Sequence, residues 1–261
     1  MMDGFDRAGS VFSSRMAEVL GNIRVRETHS FFVRWQGELF KRDTMRADLR
    51  ADLNRALNVK DATESVLYRG LMLQLYGAFE RLVADLAAAV LTVLQVKASR
   101  YGDLDENLKN AHTVGSARLL ARLHDKAING VKFDFAALQS DLAACLSNAQ
   151  PYRMNAAAFT ALLGVCTAER VDALFKSLRL VAAFDDDLGH NKTIKAWAKD
   201  AGPREAYKLA SDQLDEIVRL RNQIAHGASD PEVLDTQVKE AACFLSVLGQ
   251  ALLDKARARC T

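Results

Sequence analysis

Only three prolines occur in 261 residues, at 151, 203 and 231, so little in the chain interrupts helices of fifteen residues or more. Four cysteines, Cys145, Cys166, Cys243 and Cys260, stand far apart and form neither a CxxC pair nor a Cys/His ligand spacing. That excludes a disulfide scaffold and a zinc ribbon, and the thiols are expected to be free in a reducing cytosol. Net charge is only +2, so no global excess of either sign marks a nucleic-acid binder, and any such binding must rest on a local patch. No basic segment followed by an apolar one opens the chain as a signal peptide would. A membrane span is missing too. The most apolar stretch, residues 71–96, is broken by Glu80, Arg81 and Asp85 and falls short of the roughly 18 apolar residues a span needs. These absences leave a cytoplasmic protein with no membrane.

What remains is apolar and helix-forming. The apolar share is 49% and the charged share 26%, as in folded globular proteins. The periodicity predicts an all-α helical bundle. Residues 1–10 read as a loose start, and Val11 to Arg55 as one or two helices carrying Phe31, Phe32, Trp35, Leu39 and Phe40. Asn58 to Thr63 reads as a connection, with Asp61 as an N-cap. Glu64 to Ala98 is a helix apolar on nearly all sides, which belongs in the middle of the bundle. Tyr101 to Gly115 is polar, irregular or a short helix. Ser116 to Lys126 and Phe133 to Ser147 carry helical spacing, separated by an Asn129-Gly130 turn that is also a hairpin signal for a stub at Val131–Phe133. Shorter helices follow at Ala156–Cys166 and Ala168–Leu180, then a polar break at Asp185–His190. Two long helices close the chain, Arg204–Ala225 and Glu232–Ala258, with Gly227 as a stop and Asp230-Pro231 as the start of the second. The simplest division is an N-terminal helical extension, 1–60, and one helical domain, 61–261.

One stretch stands apart: Arg219-Leu-Arg-Asn-Gln-Ile-Ala-His226-Gly227. Leu214, Ile217, Leu220 and Ile224 form the apolar stripe of its helix, and Arg221 falls about 40° from the stripe centre at Ile217. A guanidinium on a buried face is costly without a partner or a function. An arginine followed four to six residues later by histidine is weak by itself, since Arg24 with His29 and Arg118 with His124 share that spacing. Only Arg221 is followed by a second hydrogen-bonding group, Asn222, and only His226 ends a helix before a glycine. A helix end favours the imidazolium while a nearby arginine opposes it, opposing influences that suit a group exchanging protons. The plainer alternative is that Arg221 and His226 cap the last turn and pair with acids. Five residues on an ideal helix separate them by about 140°, so they share a pocket only if the helix unwinds near Ala225–Gly227 or two chains bring their copies together. Glu80, on the central helix, is the natural carboxylate partner for Arg221, expected in a bidentate contact; pairing with a helix-surface lysine or arginine is the alternative. Apart from the turn with His190 beside Asp185–Asp187, no Asp/Glu/His group has metal-ligand spacing, so neither metal nor cofactor is expected.

Arg221-Asn-Gln-Ile-Ala-His226-Gly resembles the Rx4-6H signature of the HEPN superfamily (higher eukaryotes and prokaryotes nucleotide-binding). Leu73-Gln-Leu-Tyr-Gly-Ala-Phe-Glu80-Arg-Leu-Val83 resembles the first core helix of a bacterial HEPN group with a Tyr-x-x-Phe-Glu pattern. Arg170–Arg179 lies where those relatives carry a similar short helix. The resemblance covers roughly residues 60–255. It implies a dimerised bundle in which two Arg/His motifs line one cleft, and a metal-independent endoribonuclease acting as a toxin or anti-phage effector, with a cognate antitoxin protein as a possible partner. Carried over, Arg221 would bind the scissile phosphate of RNA, His226 would serve as general acid/base in attack of the ribose 2′-OH, and Asn222 would position phosphate or His226. Some HEPN domains are inactive modules that bind a nucleotide or a partner protein.

Overall fold

In the computed structural model, backbone is described for residues 3–40, 47–123, 134–160, 163–227 and 231–260, and side chains for these residues apart from Asp3 and residues 26–65. Among the described residues the chain is helical, with no strand. The elements are α1 (Asp3–Phe40), α2 (Ala47–Lys97), a 3₁₀ turn (Tyr101–Asp103), α3 (Glu106–Leu123), α4 (Phe135–Leu146), α5 (Ala157–Thr160), α6 (Ala168–Ser177), α7 (Asp186–His190), α8 (Lys192–Trp197), α9 (Pro203–His226) and α10 (Asp235–Cys260).

α2 is the axis. Between Leu71 and Val93 it buries Leu71, Met72, Leu75, Tyr76, Phe79, Leu82, Val83, Leu86 and Val90, positions that share one arc of about 140°. Gln74, Arg81 and Thr92 on the far side stay exposed, so one face of this largely apolar helix is left to solvent. α1, α10 and α9 cover its sides. α1 contributes Phe5, Ala8, Phe12, Met16, Val19 and Ile23 at three- and four-residue steps, so residues 4–10, expected to be loose, are helical and packed. α1 and α10 close on α2 at Gly249, where a Cβ would lie 2.5 Å from the Phe12 ring and 2.7 Å from Leu82.

Several boundaries differ from the sequence reading for local reasons. The expected connection at 58–63 is helical, because the Asn-Val-Lys-Asp-Ala-Thr stretch contains neither glycine nor proline and its residues only mildly disfavour helix. α3 begins at Glu106, earlier than its apolar spacing suggests, and buries Leu108, His112, Ser116 and Leu119. The polar Asp185–His190 segment is a helical turn, α7, capped by Asp185, whose side chain accepts from the Leu188 N–H. Its acids are engaged: Asp185 pairs with the nearly buried Lys255, and Asp187 with Arg259 at 2.6 Å. α10 starts at Asp235, not at Pro231; Asp230 lies outside the described residues, as do the expected turn and stub at 129–133 and His124. Cys145, Cys166 and Cys260 are buried free thiols and Cys243 an exposed one.

The crossing of α7 over the start of α9 depends on Gly189. A Cβ there would lie 2.6 Å from the Pro203 carbonyl carbon and 2.8 Å from its Cα, and neither backbone atom can step aside as a side chain would. Gly189→Ala should therefore lower stability by about 3 kcal/mol, read as a fall in thermal midpoint. An unchanged midpoint would mean that α7 and α9 can part at this crossing without loss.

Candidate functional site

α9 begins with Pro203 at its first turn after Gly202 and ends on Gly227, whose left-handed backbone (φ 61°, ψ 16°) stops the helix. Between them Ala206, Ala210, Leu214, Ile217 and Val218 are buried against the bundle, and Leu220 and Ile224 pack half-buried on it. Arg221, four residues after Ile217 and three after Val218, continues this stripe and is half-buried. Arg219, two residues before, points to solvent and is paired with Glu216.

The guanidinium carbon of Arg221 lies 5.5 Å from the centroid of the Tyr76 ring on α2, a cation–π distance. Its Nη1 donates to Asn222 Oδ1 at 3.1 Å. Glu80, one turn beyond Tyr76, is half-buried. Burial holds its carboxyl above the ordinary carboxylate range, while the positive charge of Arg221 and a hydrogen bond with the Tyr76 hydroxyl pull it back down. Arg221 thus acts on Glu80 as a nearby charge and not through the bidentate contact expected from sequence. Arg81, the arginine next to Glu80 in sequence, is taken by Asp85 at 2.9 Å.

The wall opposite is the loop at 163–167. The Cys166 N–H donates to the Tyr76 hydroxyl at 2.6 Å. Arg170 holds the loop by donating to the carbonyl of Leu163 at 2.6 Å and of Val165 at 3.4 Å. Thr167 caps α6, and the Ala168 N–H donates to Asp215 of α9 at 2.9 Å, which fastens the loop to the helix that carries Arg221. The Cys166 thiol is buried and pushed up to about 12, first by burial and then by the Glu80 charge. A thiol held so firmly in its neutral form is no nucleophile.

Of the four residues singled out from sequence, Glu80, Arg221 and Asn222 therefore gather around Tyr76. His226 does not join them within one chain. It is exposed, and α9 remains helical through it, so the unwinding that would turn it toward Arg221 does not occur. The structure adds roles for Tyr76, Cys166 and Arg170. Tyr76 stood in the Tyr-x-x-Phe-Glu pattern, one turn before Glu80, but nothing in the sequence pointed to what its hydroxyl and ring would meet. His112 was also passed over. Buried to 1% exposure, it accepts the Asn155 N–H at Nε2 (3.2 Å), bonds the Tyr101 hydroxyl through Nδ1 (3.1 Å) and stacks on Phe159.

A family model described as HEPN_MAE_28990-like HEPN matches residues 38–242, from the end of α1 to the first turns of α10. The chain belongs to the HEPN superfamily. No curated protein and no solved structure matches it. Membership makes this HEPN chain a nuclease-like or nucleotide-binding helical module, and the match takes in the Tyr76–Glu80 segment, α6 and all of α9. Among the described residues no helix is long and apolar enough to cross a membrane, and no group of three His, Cys, Asp or Glu side chains is placed to hold a metal ion.

Proposed function

We propose that this HEPN chain is a metal-independent endoribonuclease whose working unit is a homodimer. The observation that carries the reading is the half-buried Arg221 guanidinium, set over Tyr76 and beside Glu80, with Asn222 on one nitrogen only. Its remaining N–H groups suit the oxygens of a phosphodiester. In this reading Arg221 binds the scissile phosphate and stabilises the charge that builds on the pentacoordinate transition state. His226 takes the proton from the ribose 2′-OH as that oxygen attacks phosphorus. The imidazolium so formed gives a proton to the 5′-oxygen of the next nucleotide as the P–O5′ bond breaks, and a 2′,3′-cyclic phosphate remains. Because α9 stays helical to its end, the histidine that serves Arg221 comes from a second copy, across a two-fold axis. A toxin or anti-phage role, with a cognate antitoxin protein holding the nuclease in check, rests on the family alone.

The test is incubation of purified protein with RNA in EDTA, with the ends of the products analysed. Cleavage leaving 2′,3′-cyclic phosphate ends supports the proposal. RNA that stays intact with and without divalent cations favours the second reading, a catalytically silent module that binds a nucleotide or a partner protein. The separation of Arg221 and His226 within one chain is what keeps that reading open.

A further inference from the structure

Tyr76 is wholly buried, and a phenylalanine would fill the same space without bringing a hydroxyl into the core. Burying that hydroxyl costs free energy unless it is fully bonded. It accepts the Cys166 N–H at 2.6 Å, which leaves its single proton free for the Glu80 carboxylate, its neighbour one turn on. The loop that supplies the Cys166 N–H is in turn fixed by Arg170 and by Asp215 of α9. The aromatic face of Tyr76 lies under the Arg221 guanidinium, and the Glu80 carboxylate near its hydroxyl is the negative charge beside Arg221.

We propose that Tyr76 is the positioning residue of Arg221: its ring carries the guanidinium, and its hydroxyl ties the Glu80 carboxylate to the backbone of the 163–167 loop. An arginine on an otherwise mobile side chain is then restrained by an aromatic face, a carboxylate and the Asn222 amide before any substrate arrives. Restraint of this kind removes reorganisation from the reaction step, and small misplacements of a phosphate-binding group are costly in rate. The hydroxyl also works on Glu80 itself. Donating to the carboxylate favours its charged form against the burial that opposes it.

This inference rests on Arg221 as the phosphate-binding group, and its test separates the two ideas. Full-length protein with isotope-labelled arginine should show the Arg221 Nε–H resonance displaced by the Tyr76 ring, a displacement kept in Tyr76→Phe and lost in Tyr76→Leu. With labelled glutamate, Glu80 should titrate at higher pH in Tyr76→Phe than in the unmodified protein. In RNA cleavage Tyr76→Phe should lower kcat about tenfold or more with little change in KM, and the acid limb of the rate profile should move to higher pH. An Arg221 resonance undisplaced in the unmodified protein overturns the inference, whether or not the variants fold. A Tyr76→Phe variant that leaves both the Glu80 titration and the pH profile in place overturns it as well. If the unmodified protein cuts no RNA, the nuclease reading falls alone, because the spectra still decide what Tyr76 does.

Discussion

Arg221→Ala should reduce RNA cleavage by roughly a hundredfold to a thousandfold, and Arg221→Lys should recover little of it. Lysine offers one compact charge where the site is shaped for a flat, forked group: a ring face at 5.5 Å, an amide oxygen at 3.1 Å on Nη1, and a carboxylate nearby. His226→Ala should lose activity comparably, since the proton-transfer group is removed. The more searching measurement mixes the two inactive variants. Arg221 and His226 are about 140° apart around one continuous helix, so each pocket is expected to take its arginine from one chain and its histidine from the other. After unfolding and refolding together, half the dimers are mixed, and one of the two pockets in each mixed dimer has both groups intact. Activity should return to about a quarter of that of the unmodified protein. Each variant alone should stay inactive. Failure to complement, in a preparation shown to contain mixed dimers, would mean that both groups act from one chain or that no shared pocket exists.

The parts of this architecture that could be read from sequence are those written in spacing. The central helix announces itself because residues 71–96 form the longest largely apolar stretch of the chain, and α9 because its apolar residues recur at steps of three and four. Arg221 could be found by the same arithmetic: a charge on that stripe needs a reason. Tyr76 illustrates what spacing leaves out. A tyrosine in an apolar run looks like core, and only the Cys166 N–H, ninety residues away and brought in by a loop with no periodicity of its own, gives its hydroxyl a purpose. Boundaries suffered for the converse reason. Asn58–Thr63 and Asp185–His190 are polar enough to look like breaks, yet the first contains no helix breaker and the second turns its acids into a cap and ion pairs with α10. For Asp185–His190 the deciding partners, Lys255 and Arg259, come from distant sequence, and local propensity does not contain them.

Acidification from pH 7 to pH 4 should cost this fold about 3 kcal/mol through His112 alone. The ring lies between α3 and the segment ahead of α5, 1% exposed, with Asn155 donating to Nε2 and Phe159 stacked against it. Because Nε2 accepts a backbone N–H, the ring proton sits on Nδ1 and is donated to the Tyr101 hydroxyl, which can pass its own proton to the Lys109 carbonyl at 3.2 Å. A second ring proton would face the Asn155 N–H with no acceptor, and burial draws the imidazole down from 6.5 to about 4. The folded state therefore resists protonation that the unfolded chain accepts. Stability is complete above about pH 6.5, falls as the pH descends toward 4, and levels off below that, where both states carry the proton. Carboxylates titrate over part of the same range, so the comparison must be with a variant. His112→Gln keeps an acceptor for the Asn155 N–H and cannot be protonated. It should be less stable at neutral pH, through the lost ring and Tyr101 bond, yet lose about 3 kcal/mol less than the unmodified protein between pH 7 and pH 4. Urea midpoints taken at half-unit steps of pH would show the two curves converging. Parallel curves would place the acid sensitivity elsewhere and leave His112 as packing alone.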